Sequence, residues 1–173
     1  ITVTKKREND NGSAASQKCK VTFNANGGIA SKVSKTVKTK NKIGDLPKAT
    51  RAKYTFAGWY TKKSGGTKVT TKTKITKSCT YYAHWKKVTV PKTAISRLTN
   101  GKGRRLTVRL KNVKGASGYQ IQYSTSPKFS GAKTKTTSKT ALTISRMRKN
   151  KTYYVRARAY KKDSRGKNVY GVY

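Results

Sequence analysis

Tyr54-Thr55-Phe56-Ala57-Gly58-Trp59-Tyr60 is the strongest apolar segment of the chain, rich in aromatic and β-branched residues. Such a run, bounded downstream by the Ser64-Gly65-Gly66 turn, reads as a strand. Working outward, Cys19, Val21 and Phe23 alternate with Lys18, Lys20 and Thr22 until Asn26-Gly27-Gly28 breaks the run. On the other side, Cys79-Thr80-Tyr81-Tyr82-Ala83-His84-Trp85 closes this half of the sequence. Side chains on a strand repeat every second residue, so Cys79, Tyr81, Ala83 and Trp85 share one face, while Thr80, Tyr82 and His84 share the other. A Cys79–His84 nucleophile pair is therefore ruled out, because an odd spacing on one strand puts the two groups on opposite sides of the sheet.

The second half has the rhythm of short strands expected of a sandwich. Leu106, Val108 and Leu110 alternate with Arg105, Thr107 and Arg109; Tyr119, Ile121 and Tyr123 alternate with Gln120 and Gln122. Leu142 and Ile144 form a short strand. Tyr153, Val155, Ala157 and Ala159 oppose Tyr154, Arg156, Arg158 and Tyr160. Residues 1–17 lose apolar content after Val3 and read as a linker. The expected class is mainly β, with units at 18–87 and 88–173.

Of the 173 residues, 43 are Lys or Arg and four are acidic, a formal charge of +39. The acids, Glu8, Asp10, Asp45 and Asp163, are scattered, which disfavours paired-carboxylate catalysis and EF-hand loops. A single His disfavours most His-based zinc sites. No catalytic set, metal site or cofactor is expected. The charge is distributed: +1 over 1–17, +17 over 18–87 and +21 over 88–173. Self-repulsion at this density favours a working environment that contains an anionic partner. No stretch has the length or apolarity of a membrane span or a signal sequence.

The motifs in residues 18–87 resemble the Listeria-Bacteroides (internalin B-type) repeat: Val21-Thr22-Phe23-Asn24-Ala25-Asn26-Gly27-Gly28, Tyr54-Thr55-Phe56-Ala57-Gly58-Trp59-Tyr60-Thr61, Gly65-Gly66-Thr67-Lys68-Val69 and Thr80-Tyr81-Tyr82-Ala83-His84-Trp85. The resemblance implies a small β-grasp-like domain of exported or surface-anchored bacterial proteins, usually in tandem arrays and without catalysis. Where the family often has Asp-Gly before Tyr-Thr-Phe, this chain has Ala52-Lys53. Val113-Lys114-Gly115-Ala116-Ser117-Gly118-Tyr119-Gln120-Ile121-Gln122-Tyr123-Ser124 and Lys151-Thr152-Tyr153-Tyr154-Val155-Arg156-Ala157-Arg158-Ala159-Tyr160 resemble a bacterial fibronectin type III domain. That implies a seven-stranded, two-sheet sandwich in which Tyr153 matches the family's corner tyrosine. The usual core tryptophan is replaced by Leu106-Thr107-Val108-Arg109.

Two cysteines suit either one disulfide in an exported protein or two buried thiols. If the first and last strands of the β-grasp-like sheet lie side by side, as the resemblance implies, Cys19 and Cys79 meet. A bridge between them would close a loop of roughly 60 residues and stabilise by about 4 kcal/mol. The Lys/Thr runs at 32–42, 68–77 and 133–139 read singly as solvated loops or edge strands. Edge protection alone does not explain charge of one sign.

Arg156 and Arg158, flanked by Tyr154 and Tyr160 beside Gln120 and Gln122, form the expected anion-binding face. An ordinary exposed sheet face with arginine stems over apolar area is the competing reading. The composition and resemblances together suggest a non-catalytic, extracellular bacterial surface module, monomeric within a larger chain. Its expected partner is an anionic cell-wall polymer such as teichoic acid, or an acidic glycan. Nonspecific nucleic-acid binding by counterion release is expected in vitro. A nucleic-acid-binding role and a pure structural spacer are the alternatives; no helix-turn-helix, zinc-finger or RNA-recognition signature supports the former.

Overall fold

The computed structural model describes residues 17–173, and the linker expected at 1–17 lies outside them apart from Gln17. The described residues form strands and loops, with no helix. The first unit contains β1 (Lys18–Asn24), β2 (Ile29–Ala30), β3 (Ser34–Lys38), β4 (Ala49–Thr50), β5 (Tyr54–Tyr60) and β6 (Cys79–Lys87). Its main sheet has the order β3-β1-β6-β5. β1 and β6 run parallel at its centre, and β3 and β5 flank them antiparallel. Parallel neighbours need a long crossover. Here the chain between them, residues 25–78, supplies the flanking strands β3 and β5 and the two-stranded β2–β4 ribbon, with no helix.

One face of this sheet is an aromatic core. Trp59 is 1% exposed, with its ring 4.9 Å from Phe23 and 5.5 Å from Phe56; Phe56 in turn lies 5.4 Å from Trp85. The Trp59 indole N–H donates to Pro47 O at 2.8 Å, so the buried donor is satisfied. Phe56 and Trp59 are three apart, yet both pack on this core. Strict alternation would send them to opposite faces; a bulge between Phe56 and Gly58 resets the phase. Gly58 takes φ 132° there, and a Cβ would meet Lys68 Cε at 2.7 Å. Gly28 is required for a different reason: a Cβ would stand 2.4 Å from the Trp85 ring.

The Lys/Thr runs contribute to the core rather than forming loops alone. Val37, Val69 and Ile75 are buried. The runs at 32–42 and 68–77 also join through backbone bonds, Lys40 N to Ile75 O at 2.7 Å and Ile75 N to Asn41 O at 2.9 Å. Their lysines flank short apolar anchors.

The second unit comprises β7 (Ile95–Gly101), β8 (Arg105–Leu110), β9 (Gly118–Ser124), β10 (Lys133–Thr137), β11 (Ala141–Ile144), β12 (Tyr154–Lys162) and β13 (Asn168–Tyr170). A three-stranded sheet, β11-β8-β7, faces a four-stranded sheet, β10-β9-β12-β13. The core lies between them and is built from the expected alternating residues: Leu106, Val108 and Leu110; Tyr119, Ile121 and Tyr123; Ala157 and Ala159. Tyr153 packs against it, and its hydroxyl accepts the Arg148 N–H at 3.0 Å. The last strand ends at Tyr170.

The two units meet through the tip of the β12–β13 hairpin. Ser164 N donates to Tyr54 O at 2.8 Å, and Arg51 N donates to Ser164 Oγ at 2.8 Å. The Asp163 carboxylate accepts Lys53 N–H at 3.0 Å from the first unit. Within its own hairpin it accepts Arg165 and Lys167 N–H and pairs with the Arg165 guanidinium at 3.0 Å. Lys53, at the position where the family resemblance pointed to glycine, has φ 64°. A left-handed lysine costs about 1–2 kcal/mol, and the contact that orders its N–H comes from the other unit.

Burial pushes the Asp163 pKa up, but the hydrogen bonds from Lys53, Arg165 and Lys167 outweigh it and hold the carboxyl at about 2. A depressed carboxylate pKa gives stability that is present above the unfolded value and is lost as pH falls through the folded one. Asp163→Asn is therefore expected to flatten the fall in urea midpoint between about pH 4 and pH 2. Asp163→Ala is expected to cost about 1–3 kcal/mol at neutral pH by leaving donors unpaired.

Candidate functional site

The structure brings together four of the six residues expected on the anion-binding face. β12 pairs with β9 so that Arg156 lies across from Gln122 and Arg158 across from Gln120. Arg156 Nε donates to Gln122 Oε1 at 2.9 Å, and Arg158 Nε to Gln120 Oε1 at 2.8 Å. Gln122 reaches on to Thr134 of β10 at 3.3 Å. A polar stripe thus crosses three strands.

The aromatic partners differ from those expected. The Arg156 guanidinium lies over Phe129 at 4.2 Å and over Tyr173 at 4.3 Å. The Arg158 guanidinium lies over Tyr170 and over Tyr173, each at 4.3 Å. Both cations therefore share the Tyr173 ring. Tyr160 instead packs near Tyr170, at 5.6 Å, and Tyr154 sits across from Ser124, 41% exposed and clear of both arginines. The sequence reading missed Phe129 because it is a loop residue with φ 58°, and Tyr173 because regular alternation gives it the opposite face from Tyr170. The chain leaves the strand at Gly171, which frees Tyr173 to return over the arginines.

Each guanidinium is thereby held by its edge through Nε and by its plane through two rings. Each such stack is worth about 0.5–1 kcal/mol at a half-exposed site. The Tyr173 hydroxyl donates to Gln120 Oε1 at 2.8 Å, and burial raises its pKa against the lowering effect of Arg158 and Arg156. The arrangement preorganises two cations without an acid. The Nη donors carry no hydrogen bond to other described residues and remain able to meet a carboxylate, sulfate or phosphate.

The disulfide expected between Cys19 and Cys79 is not formed; both are free thiols. β1 and β6 do lie side by side, but the register places Cys79 across from Val21, two residues beyond Cys19. A diagonal pair of this kind stands about 7–8 Å apart at Cα, beyond disulfide reach without backbone movement. Cys19 Sγ instead lies 3.2 Å from Thr39 Oγ1. Burial, with a hydrogen bond donated by the Tyr81 hydroxyl to Cys79 and the negative charge of a Cys79 thiolate, pushes the Tyr81 hydroxyl up to about 12. His84 faces away from both thiols, stacked on Tyr60 with ring centroids 3.9 Å apart and with Nε2 2.9 Å from Lys62 O.

Among the described residues, Arg165–Asp163 is the one salt bridge, and no group of three His, Cys, Asp or Glu could hold a metal. No helix among them is long and apolar enough to cross a membrane.

The fold and faces define a class: a β-rich, strongly cationic chain whose order is carried by aromatic and amide groups. Comparison with known families narrows the first unit. Residues 20–84 match the family model of the Listeria-Bacteroides repeat domain, a family typically found in extracellular surface proteins. No curated protein and no solved structure matches the chain.

Tyr173→Ala is expected to lower the stability of the second unit by about 1–2 kcal/mol in urea unfolding. Tyr173→Phe should recover all but the hydroxyl's share, about 0.5–1.5 kcal/mol. Separately, the unfolded chain is expected to titrate two thiols without reductant, and its melting temperature should not move when reductant is added.

Proposed function

We propose that the chain is a non-catalytic module of an exported bacterial surface or wall-associated protein. It holds anionic polymer, teichoic acid or an acidic glycan, through its lysine and arginine surface and spaces neighbouring domains. The observation that carries the reading is a domain type of extracellular surface proteins bearing charge almost entirely of one sign. A chain that needed charge only for solubility gains nothing from excluding acids, because mixed signs serve that purpose.

In this reading residues 88–173 are a fibronectin type III-like domain. The three-on-four sandwich and the Tyr153 hydroxyl bonded to the Arg148 backbone support that assignment. Residues 18–87 are the repeat domain, and the hydrogen bonds of Asp163 and Ser164 make the pair a stiff spacer. The protein works as a monomer, with no cofactor.

The test is retention of the chain on purified bacterial walls before and after removal of teichoic acid, across a salt series. Retention at physiological salt on intact walls, falling steeply as salt rises and lost on stripped walls, is the expected result. Equal retention on both wall preparations would remove teichoic acid as the partner. Duplex DNA that displaces the chain at far lower charge concentration than teichoic acid would favour a nucleic-acid role instead.

A further inference from the structure

The β7–β8 hairpin and the loop from β11 to β12 enclose a cleft of roughly 560 Å³ at one end of the second core, a volume in the range of small-ligand sites. Arg104 and Arg105 line it from the hairpin, and Arg148, Lys149 and Lys151 from the loop; no acid lines it. All five side chains are exposed, and none makes a salt bridge among the described residues. None donates a side-chain hydrogen bond there either, in contrast to Arg156 and Arg158. Five mutually repelling cations with unused donors around one concavity are poised for an anion.

The cleft is also built rather than loose. Met147 N donates to Arg104 O at 3.0 Å, tying loop to hairpin, and the Tyr153 hydroxyl anchors Arg148 N. Arg104, Arg146 and Asn150 have φ between 54° and 62°, non-glycine residues in a costly region of the kind that clusters at binding sites. Its walls include apolar surface from Leu98, which is 48% exposed, and from Tyr153 and Met147.

We infer that this cleft binds a sugar carrying sulfate or carboxylate groups. The five cations take the anionic substituents, and Leu98 and Tyr153 cover the apolar face of the ring. The inference rests on the polyanion reading above and narrows it to one site and one chemistry. A polyphosphate chain has no apolar face to lay on Leu98, and a nucleic-acid duplex is too broad to enter.

The test is calorimetric binding of the full chain to a chondroitin 4-sulfate hexasaccharide at physiological salt. Arg148→Ser/Lys149→Ser/Lys151→Ser is expected to weaken binding about tenfold or more. Lys133→Ser/Lys135→Ser/Lys139→Ser removes equal charge from the β10 edge and its following turn, and is expected to weaken it less than about threefold. Leu98→Ala, which leaves the charge unchanged, should weaken it by about two- to fivefold. The unsulfated hexasaccharide separates the two anionic groups: comparable binding assigns the carboxylate and lost binding assigns the sulfate, and either upholds the site. Equal losses in the two triple variants overturn the proposal, as does tighter binding of polyphosphate or duplex DNA of matched charge. If the hexasaccharide does not bind while intact walls still retain the chain, the cleft is refuted and the polyanion reading stands. If neither binds, both fall.

Discussion

The Asp163 carboxylate joins two units that electrostatics would push apart. Each unit carries a large excess of positive charge, and only four acids exist in the chain to offset it. Asp163 is buried at the tip of the β12–β13 hairpin, where it collects donors from its own turn and one from Lys53 across the junction. Coulomb attraction is strongest where water is excluded, so one sheltered anion does more here than several exposed ones would. The same contact orders a left-handed lysine in the first unit.

Elsewhere the chain arranges its cations without opposite charges. Phe129, Tyr173 and Tyr170 sandwich Arg156 and Arg158, and Gln122 and Gln120 accept their Nε–H groups. Ring faces and amide oxygens attract a guanidinium but do not neutralise it. The surface thus stays ordered and keeps its charge. At the other end of the second core, the five cations of the cleft are left with their donors unused. The two arginine clusters therefore differ in kind: one is fixed by the protein through its Nε groups and ring stacks, with only Nη left free, and the other has all its side-chain donors free among the described residues.

Much of the fold was legible because alternation is a strong signal wherever one sheet face is buried. The inward sets at Cys19, Val21 and Phe23, at Tyr119, Ile121 and Tyr123, and at Ala157 and Ala159 are the observed core. What alternation could not reveal was register. One step of two residues between β1 and β6 separates adjacent strands from bondable cysteines. It also could not reveal the bulge that places Phe56 and Trp59 on one side. At the arginine face, the partners across β9 follow from strand pairing, whereas Phe129 and Tyr173 arrive from a loop and from beyond a strand end, where periodicity has no authority. The cleft escaped notice because its residues are adjacent only once two connections, one on each side of β8, have folded toward each other.

Two of the edge strands, β3 and β10, read Ser-Lys-Thr-Val-Lys and Lys-Thr-Lys-Thr-Thr. Their unpaired backbone edges are the places where one copy would otherwise zip onto the next. With an ammonium group at nearly every other position, two such edges brought together would repel before any ladder formed. Along these two edges, copies crowded side by side at high density would remain separate instead of merging into a fibre.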